Sequence, residues 1–184
     1  MKLFFRIIFK IFLILTFFAG CATTEEIKET DSDALLNQGI ALLQEDQYDL
    51  SINYFNKVIE INPRYADAYS IRGVAYGMGK GQYDKAISDF NKAIEINPKY
   101  AKAYNNRGNA YFKKGQYEKT ISDYNKAIEI NPKFAEVYNN RALIYFYERD
   151  YEKAWDDVYK ALNLGYKVQP EFLTVLRQAS GREK

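Results

Sequence analysis

The chain has no histidine, one cysteine and one tryptophan in 184 residues, and only four prolines. Without histidine, the Ser–His and Cys–His pairs of nucleophilic catalysis are excluded, and so are the usual zinc ligand sets. A lone thiol, Cys21, cannot close an internal disulfide. Neither a glycine-rich phosphate loop nor a calcium loop occurs. A carboxylate pair could still hydrolyse a glycoside, but Glu25–Glu26 and Asp156–Asp157 are sequence neighbours, which on a helix do not share a face. No catalytic residue, cofactor, metal site or small-molecule substrate is therefore expected. A strong charge of one sign is missing too. The formal charge is +2, yet Lys2, Arg6 and Lys10 sit in the first twenty residues with no acid among them. Beyond residue 20, 23 basic residues face 24 acidic ones. The basic character belongs to the leader. A nucleic-acid partner, which requires a basic face to displace phosphate counterions, is excluded.

What the leader does contain is ordered. A basic stretch, "MKLFFRIIFK", precedes the apolar run "IFLILTFFAG", and small residues then lead to Cys21. That is the layout of a secretory signal. The uncharged run from Ile11 to Thr24 is shorter than the roughly 20 residues needed to span hydrocarbon. The alternative is an uncleaved N-terminal membrane helix, lengthened by snorkelling of Lys10. The closing "FAGC" resembles the lipobox of bacterial lipoproteins, with Phe18 where leucine is most common. The resemblance implies cleavage before Cys21, a diacylglycerol on its sulfur and usually acylation of the new amine. Two or three acyl chains, at roughly 0.8 kcal/mol per buried CH₂, give stable anchoring. A reactive thiol would need a neighbouring base, and "ATTEEIKETD" supplies none. Residues 1–20 thus read as a signal peptide and 21–31 as a lipid-anchored tether reaching at most about 35 Å. Ala22 is not the aspartate that retains lipoproteins at the inner membrane in some bacteria, which leans towards the outer membrane of the cell envelope.

Beyond the tether the sequence copies itself. "SDFNKAIEINPKYAKAYNNRG" begins at Ser88 and "SDYNKAIEINPKFAEVYNNRA" at Ser122. Pro98 and Pro132 lie 34 residues apart, and Pro63 and Pro98 lie 35 apart, a period that marks a repeat array. Each unit predicts two helices. Ala103, Tyr104, Gly108, Tyr111 and Phe112 form one apolar stripe, and Ile121, Tyr124, Ala127, Ile128 and Ile130 form another. Gly115 suits the positive φ of a tight turn, and Pro132 ends the second helix. These residues closely resemble the tetratricopeptide repeat, seen most fully as Tyr104, Gly108, Tyr111, Thr120, Tyr124, Ala127 and Pro132.

The resemblance implies an all-α, right-handed solenoid of helix-turn-helix units over residues 32–166, divided as 32–65, 66–100, 101–134 and 135–166. Residues 167–184 follow as a capping helix and tail, with Pro170 in its first turn, an apolar face of Phe172, Leu173, Val175 and Leu176, and Gly181 to stop it. The extra residue and three glycines of "YGMGKGQY" predict a looser turn inside the second unit. Asp89–Lys92–Glu95 and Asp123–Lys126–Glu129 read as a solvated outer face. Arg72, Arg107 and Arg141 read as stems laid along the helix pairs.

What remains for function is surface. In this family the first helix of each unit lines a concave groove that takes a peptide or partner helix. The corresponding positions are Asp67, Ser70, Val74 and Met78, then Lys102, Asn105, Asn109 and Phe112, then Glu136, Asn139, Leu143, Phe146 and Tyr147. Of these, Ser70, Asn105, Asn109, Phe112, Asn139, Phe146 and Tyr147 are the candidate partner-binding residues, since amides can bond a peptide backbone and rings can hold apolar side chains. The lysine, asparagine and arginine cluster that grips a C-terminal carboxylate in some members is missing, with Leu36, Ile40 and Ile71 where it would begin. The expected function is that of a non-enzymatic, membrane-anchored adaptor or assembly factor in the envelope. The alternative is a permanent structural subunit of an envelope machine.

Overall fold

A computed structural model describes residues 31–182, with the backbone alone at Lys80. The leader, Cys21 and the chain to residue 30 lie outside the described residues, and with them the signal-peptide and lipidation expectations. Residues 31–44 are helical and are called α1. There follow α2 (Tyr48–Ile61), α3 (Ala66–Lys80), α4 (Tyr83–Ile96), α5 (Ala101–Lys113), α6 (Tyr117–Ile130), α7 (Ala135–Tyr147), α8 (Tyr151–Asn163) and α9 (Pro170–Ser180). No strand occurs among the described residues.

The ends of these helices follow from the Asn-Pro pairs. At Asn62, Asn97 and Asn131 the backbone N–H still donates to the carbonyl four residues back, closing the last turn. Each asparagine Oδ1 then accepts from the N–H two residues on, at 3.1, 3.0 and 3.1 Å. This side-chain turn reverses the chain before the next helix, and the intervening proline cannot continue the old one. Within the units the reversal uses positive φ, at Gly81 (58°) and Gly115 (70°), but also at Asp46 (59°) and Arg149 (62°). The looser turn expected in the second unit is not what forms. Instead α3 runs to 15 residues where α5 has 13, taking Gly77 and Gly79 into the helix. Helical geometry keeps their backbone groups bonded, which an enlarged loop would leave to solvent.

The chain divides into two compact units, Met1–Tyr65 and Ala66–Lys184. In the described part of the first, Leu36 of α1 and Ile52, Phe55 and Val58 of α2 are buried, and the Tyr65 hydroxyl donates to Asp33 at 2.7 Å. In the second, α3 packs on α4, α5 on α6 and α7 on α8. Each pair then packs on the next, α4 against α5 and α6 against α7, and α9 closes on α8. The crossings depend on complementary size. A Cβ at Gly73 would come within 2.8 Å of the Phe90 ring, and one at Gly108 within 2.7 Å of Tyr124. In the last pair the small residue is Ala142 and its facing position carries the smaller Val158, both fully buried. Alanine is tolerated there because valine leaves room for the methyl.

The end helix starts at Pro170 and stops at Gly181, whose φ of 69° is left-handed. Leu176 is fully buried, and Trp155 Nε1 donates to Ser180 Oγ at 3.0 Å. The expected apolar face is narrower than its sequence suggested, because Val175 is 43% exposed. At 3.6 residues per turn, Val175 sits about 100° from the stripe made by Phe172, Leu173 and Leu176.

Candidate functional site

The first helices of successive pairs meet along one face of the second unit, and the residues at that meeting decide what it can bind. Asn105 and Asn109 project from α5 towards Asn140 of α7. Asn140 Nδ2 donates to Asn105 Oδ1 at 3.2 Å and to Asn109 Oδ1 at 3.5 Å. Asn109 Oδ1 also accepts from the Tyr124 hydroxyl at 2.5 Å. Burial pushes the Tyr124 hydroxyl well above its ordinary pKa, so it stays a proton donor. The amides expected to hold a partner's backbone thus already have work to do inside the fold. Comparison between units explains Asn109. Where α5 and α6 carry Asn109 and Tyr124, the equivalent places hold Val74 and Phe90, then Leu143 and Val158. Only the tyrosine brings a buried hydroxyl, and only there does the facing residue supply an acceptor.

Among the other expected residues, Ser70 is buried in α3 and Asn139 is half-buried on α7. Phe112, Phe146 and Tyr147 come together with partners that the sequence left unremarked. Phe112 lies 5.9 Å from Tyr117 and 6.0 Å from Tyr147, ring centroid to centroid. Phe146 lies 5.8 Å from Tyr147 and 5.8 Å from Phe172. The result is a continuous row of rings across α5, α6, α7 and α9. Tyr147 is 54% exposed and Tyr117 37% exposed, so the row presents an open edge. Lys113 extends its ammonium to 5.9 Å from the Phe112 ring.

The acidic residues assigned to a solvated face divide. Lys92–Glu95 and Lys126–Glu129 are indeed exposed pairs three residues apart. Asp89 and Asp123 are instead buried, as is Asp157, and each is gripped through two bonds by an arginine of the facing helix. Arg107 donates from Nε and Nη2 to Asp123 at 2.8 and 2.7 Å, and from Nη1 to Asn91 of the preceding pair at 2.6 Å. Its guanidinium lies 5.4 and 5.9 Å from the rings of Tyr104 and Tyr111. Arg72 repeats the carboxylate grip on Asp89, and Arg141 repeats it on Asp157 with a further bond to Asn125. The hydrogen bonds to Asp123 hold the Arg107 guanidinium further above its ordinary value, against the opposing effect of burial. Burial raises the Asp157 carboxyl, opposed by the bonds from Arg141. These ions are consumed by structure and are not available to a ligand.

Models of the tetratricopeptide repeat match residues 32–65 and 101–134, and residues 54–88 and 123–156. A TPR repeat model matches residues 78–115. Together these matches run unbroken over more than half of the chain. It is a tetratricopeptide-repeat protein. Solved structures agree with the fold. A crystal structure of MamA is 28% identical, with a TM-score of 0.66 over 77% of this chain and 84% of that one. MamA residues 41 to the end from Desulfovibrio magneticus RS-1 are 25% identical, with a TM-score of 0.65 over 73% and 76%. The first TPR of Spaghetti (RPAP3), bound to the HSP90 peptide SRMEEVD, is 28% identical, with a TM-score of 0.60 over 62% and 90%. Comparison with curated proteins returns no match. One feature of this tetratricopeptide-repeat protein departs from the family pattern, which puts leucine before the small residue of the first helix. Here that place is held by Arg72, Arg107 and Arg141.

Proposed function

We propose that the chain is a non-catalytic adaptor of the bacterial cell envelope, held to a membrane through a lipidated Cys21, that binds a segment of another protein on the face shared by α3, α5 and α7. The observation that supports binding most is the row of rings at Phe112, Tyr147 and Phe146, whose edge at Tyr147 the described residues leave exposed. Exposed apolar surface bordered by polar groups is a common mark of a protein contact. A structure of the same fold and 28% identity is bound to a peptide, which supports the same class of ligand. The anchor reading rests on "FAGC" after a basic and apolar leader, and the outer membrane is favoured by Ala22.

Full-length protein solubilised from membranes tests both parts. The N-terminal fragment should begin at Cys21 with a diacylglycerol on sulfur. A specific protein should co-purify with the wild type and be lost from Asn139→Arg, with the melting curve as a control for folding. A free Cys21 thiol or an intact Met1 in the membrane-bound protein would contradict the anchor. Equal recovery of every co-purifying protein by wild type and Asn139→Arg would contradict binding on this face.

A further inference from the structure

The adaptor reading leaves the chemistry of the bound segment open, and the α5–α7 face constrains it. Lys102, Asn105, Asn109, Phe112 and Lys113 recur at helical spacing along one side of α5. The Oδ1 atoms of Asn105 and Asn109 are occupied by Asn140 and Tyr124, while their N–H groups meet no acceptor among the described residues. Asn105 is buried, so Asn109 Nδ2 is the donor within reach of a ligand. Lys92, Lys114, Lys126 and Lys153 each meet a carboxylate. Lys113 and, at the other end of the same side, Lys102 meet none among the described residues, and Lys113 lies over Phe112. The acid facing this helix from α7 is Glu136, in the first turn, at the opposite end from Lys113. Beyond Tyr147, Glu148 and Arg149 are both exposed and cancel. Lys113 thus stands at the end of the face where Tyr117 and Tyr147 are exposed, with Glu118 and Lys119 following Tyr117 on α6.

Resting on the adaptor reading, we propose that this edge receives an extended partner segment carrying an aromatic residue or leucine beside a carboxylate. The apolar side chain lodges among Phe112, Tyr117 and Tyr147, the carboxylate meets Lys113, and a backbone carbonyl accepts from Asn109 Nδ2. Hydrophobic contact supplies the anchor and the charge sets the register. A lipid surface fits less well, because Asn109 is half-buried between α5 and α7, where an extended segment reaches and a planar surface does not.

The probe is a library of random decapeptides displayed on phage, selected on the full-length chain in detergent. Enriched sequences should place phenylalanine, tyrosine, tryptophan or leucine within two residues of aspartate or glutamate. A synthetic peptide from that set should bind about tenfold more weakly to Tyr147→Ala, about 1.4 kcal/mol. Lys113→Glu should weaken it similarly, and the loss should shrink as salt rises. Both substitutions lie at exposed positions, and melting curves check that they leave the fold intact. Enrichment of basic sequences, or no enrichment, overturns the proposal. Binding unchanged by Tyr147→Ala and Lys113→Glu but lost in Asn139→Arg overturns this edge and leaves the adaptor reading standing. Indifference to all three overturns both. Tyr147-dependent sedimentation with phosphatidylglycerol vesicles, or Tyr147-dependent dimers by light scattering, without peptide binding, would also reject a partner segment as the occupant.

Discussion

Replacing Arg107 with leucine restores the residue that the repeat pattern usually carries, and the structure says that this restoration should be harmful. Arg107 makes three hydrogen bonds through its guanidinium, two to Asp123 and one to Asn91. The Asp123 side chain is only 6% exposed, so removing the cation strands a carboxylate inside the helix pair. Breaking a buried pair from one side costs about 3–5 kcal/mol. The contact with Asn91 ties this helix pair to the preceding one, and a hydrogen bond to a charged group adds about 1.5–3 kcal/mol in its own right. Leucine recovers part of this through burial, leaving a net loss of about 3 kcal/mol, a large share of the 5–15 kcal/mol typical of a domain. Arg107→Leu combined with Asp123→Leu removes both ions. Since apolar replacements of buried pairs are often neutral or better, the double variant should regain most of the stability. Urea titrations followed by circular dichroism measure all three proteins, and the double-mutant cycle isolates the coupling. A single variant within 1 kcal/mol of wild type, or a double variant no better than the single, would refute the claim that these arginines exist to neutralise buried aspartates.

Asn109→Ala should cost about 1–3 kcal/mol by orphaning the buried Tyr124 hydroxyl, and Asn109→Val with Tyr124→Phe, which copies Val74 and Phe90, should recover most of it in the same titration. Arg149→Gly relieves a left-handed residue at φ 62° and should stabilise by about 0.5–1 kcal/mol, read as a higher melting temperature. Asp150 caps α8 by accepting from the Lys153 N–H at 3.3 Å, so Asp150→Ala should cost about 0.5–1 kcal/mol. The Lys153 ammonium, and then its backbone N–H, hold the Asp150 carboxyl below its ordinary value. Its contribution is complete above the ordinary aspartate pKa and disappears as pH falls through the lowered folded value, so wild type and Asp150→Ala should converge in acid melts.

Repetition made the helix pairs legible, because proline, asparagine and glycine recur where geometry requires them. The glycine at Gly108 and the aromatic at Tyr124 are legible as a crossing from the sequence, since small and large residues must alternate there. The arginine–aspartate pairs were not. Asp123 stands three residues from Lys126, and periodicity along one helix favours that neighbour. Its true partner is 16 residues away on the facing helix, visible only once the two helices are laid together. A signal was nevertheless present. Arg72 and Arg107 precede the crossing glycines and Arg141 precedes Ala142, while Asp89, Asp123 and Asp157 precede the buried residues that pack there. Both ions therefore had to lie beside the tightest contact. The candidate groove was half legible. Helical spacing marks Phe112, Phe146 and Tyr147 as inward residues, but Tyr117 and Phe172 come from other helices and join them only in three dimensions. Asn140 is not legible as an inward residue because it lies one residue off that register, where it bonds Asn105.

The most direct test of the adaptor account is photocrosslinking in living cells from two positions of the full-length chain. Benzoylphenylalanine placed at Asn139 lies on the proposed binding face, while at Ser122 it lies on the exposed side of α6. A discrete protein adduct is expected from position 139 and not from position 122. No adduct from 139, or the same set of adducts from both positions, would contradict it.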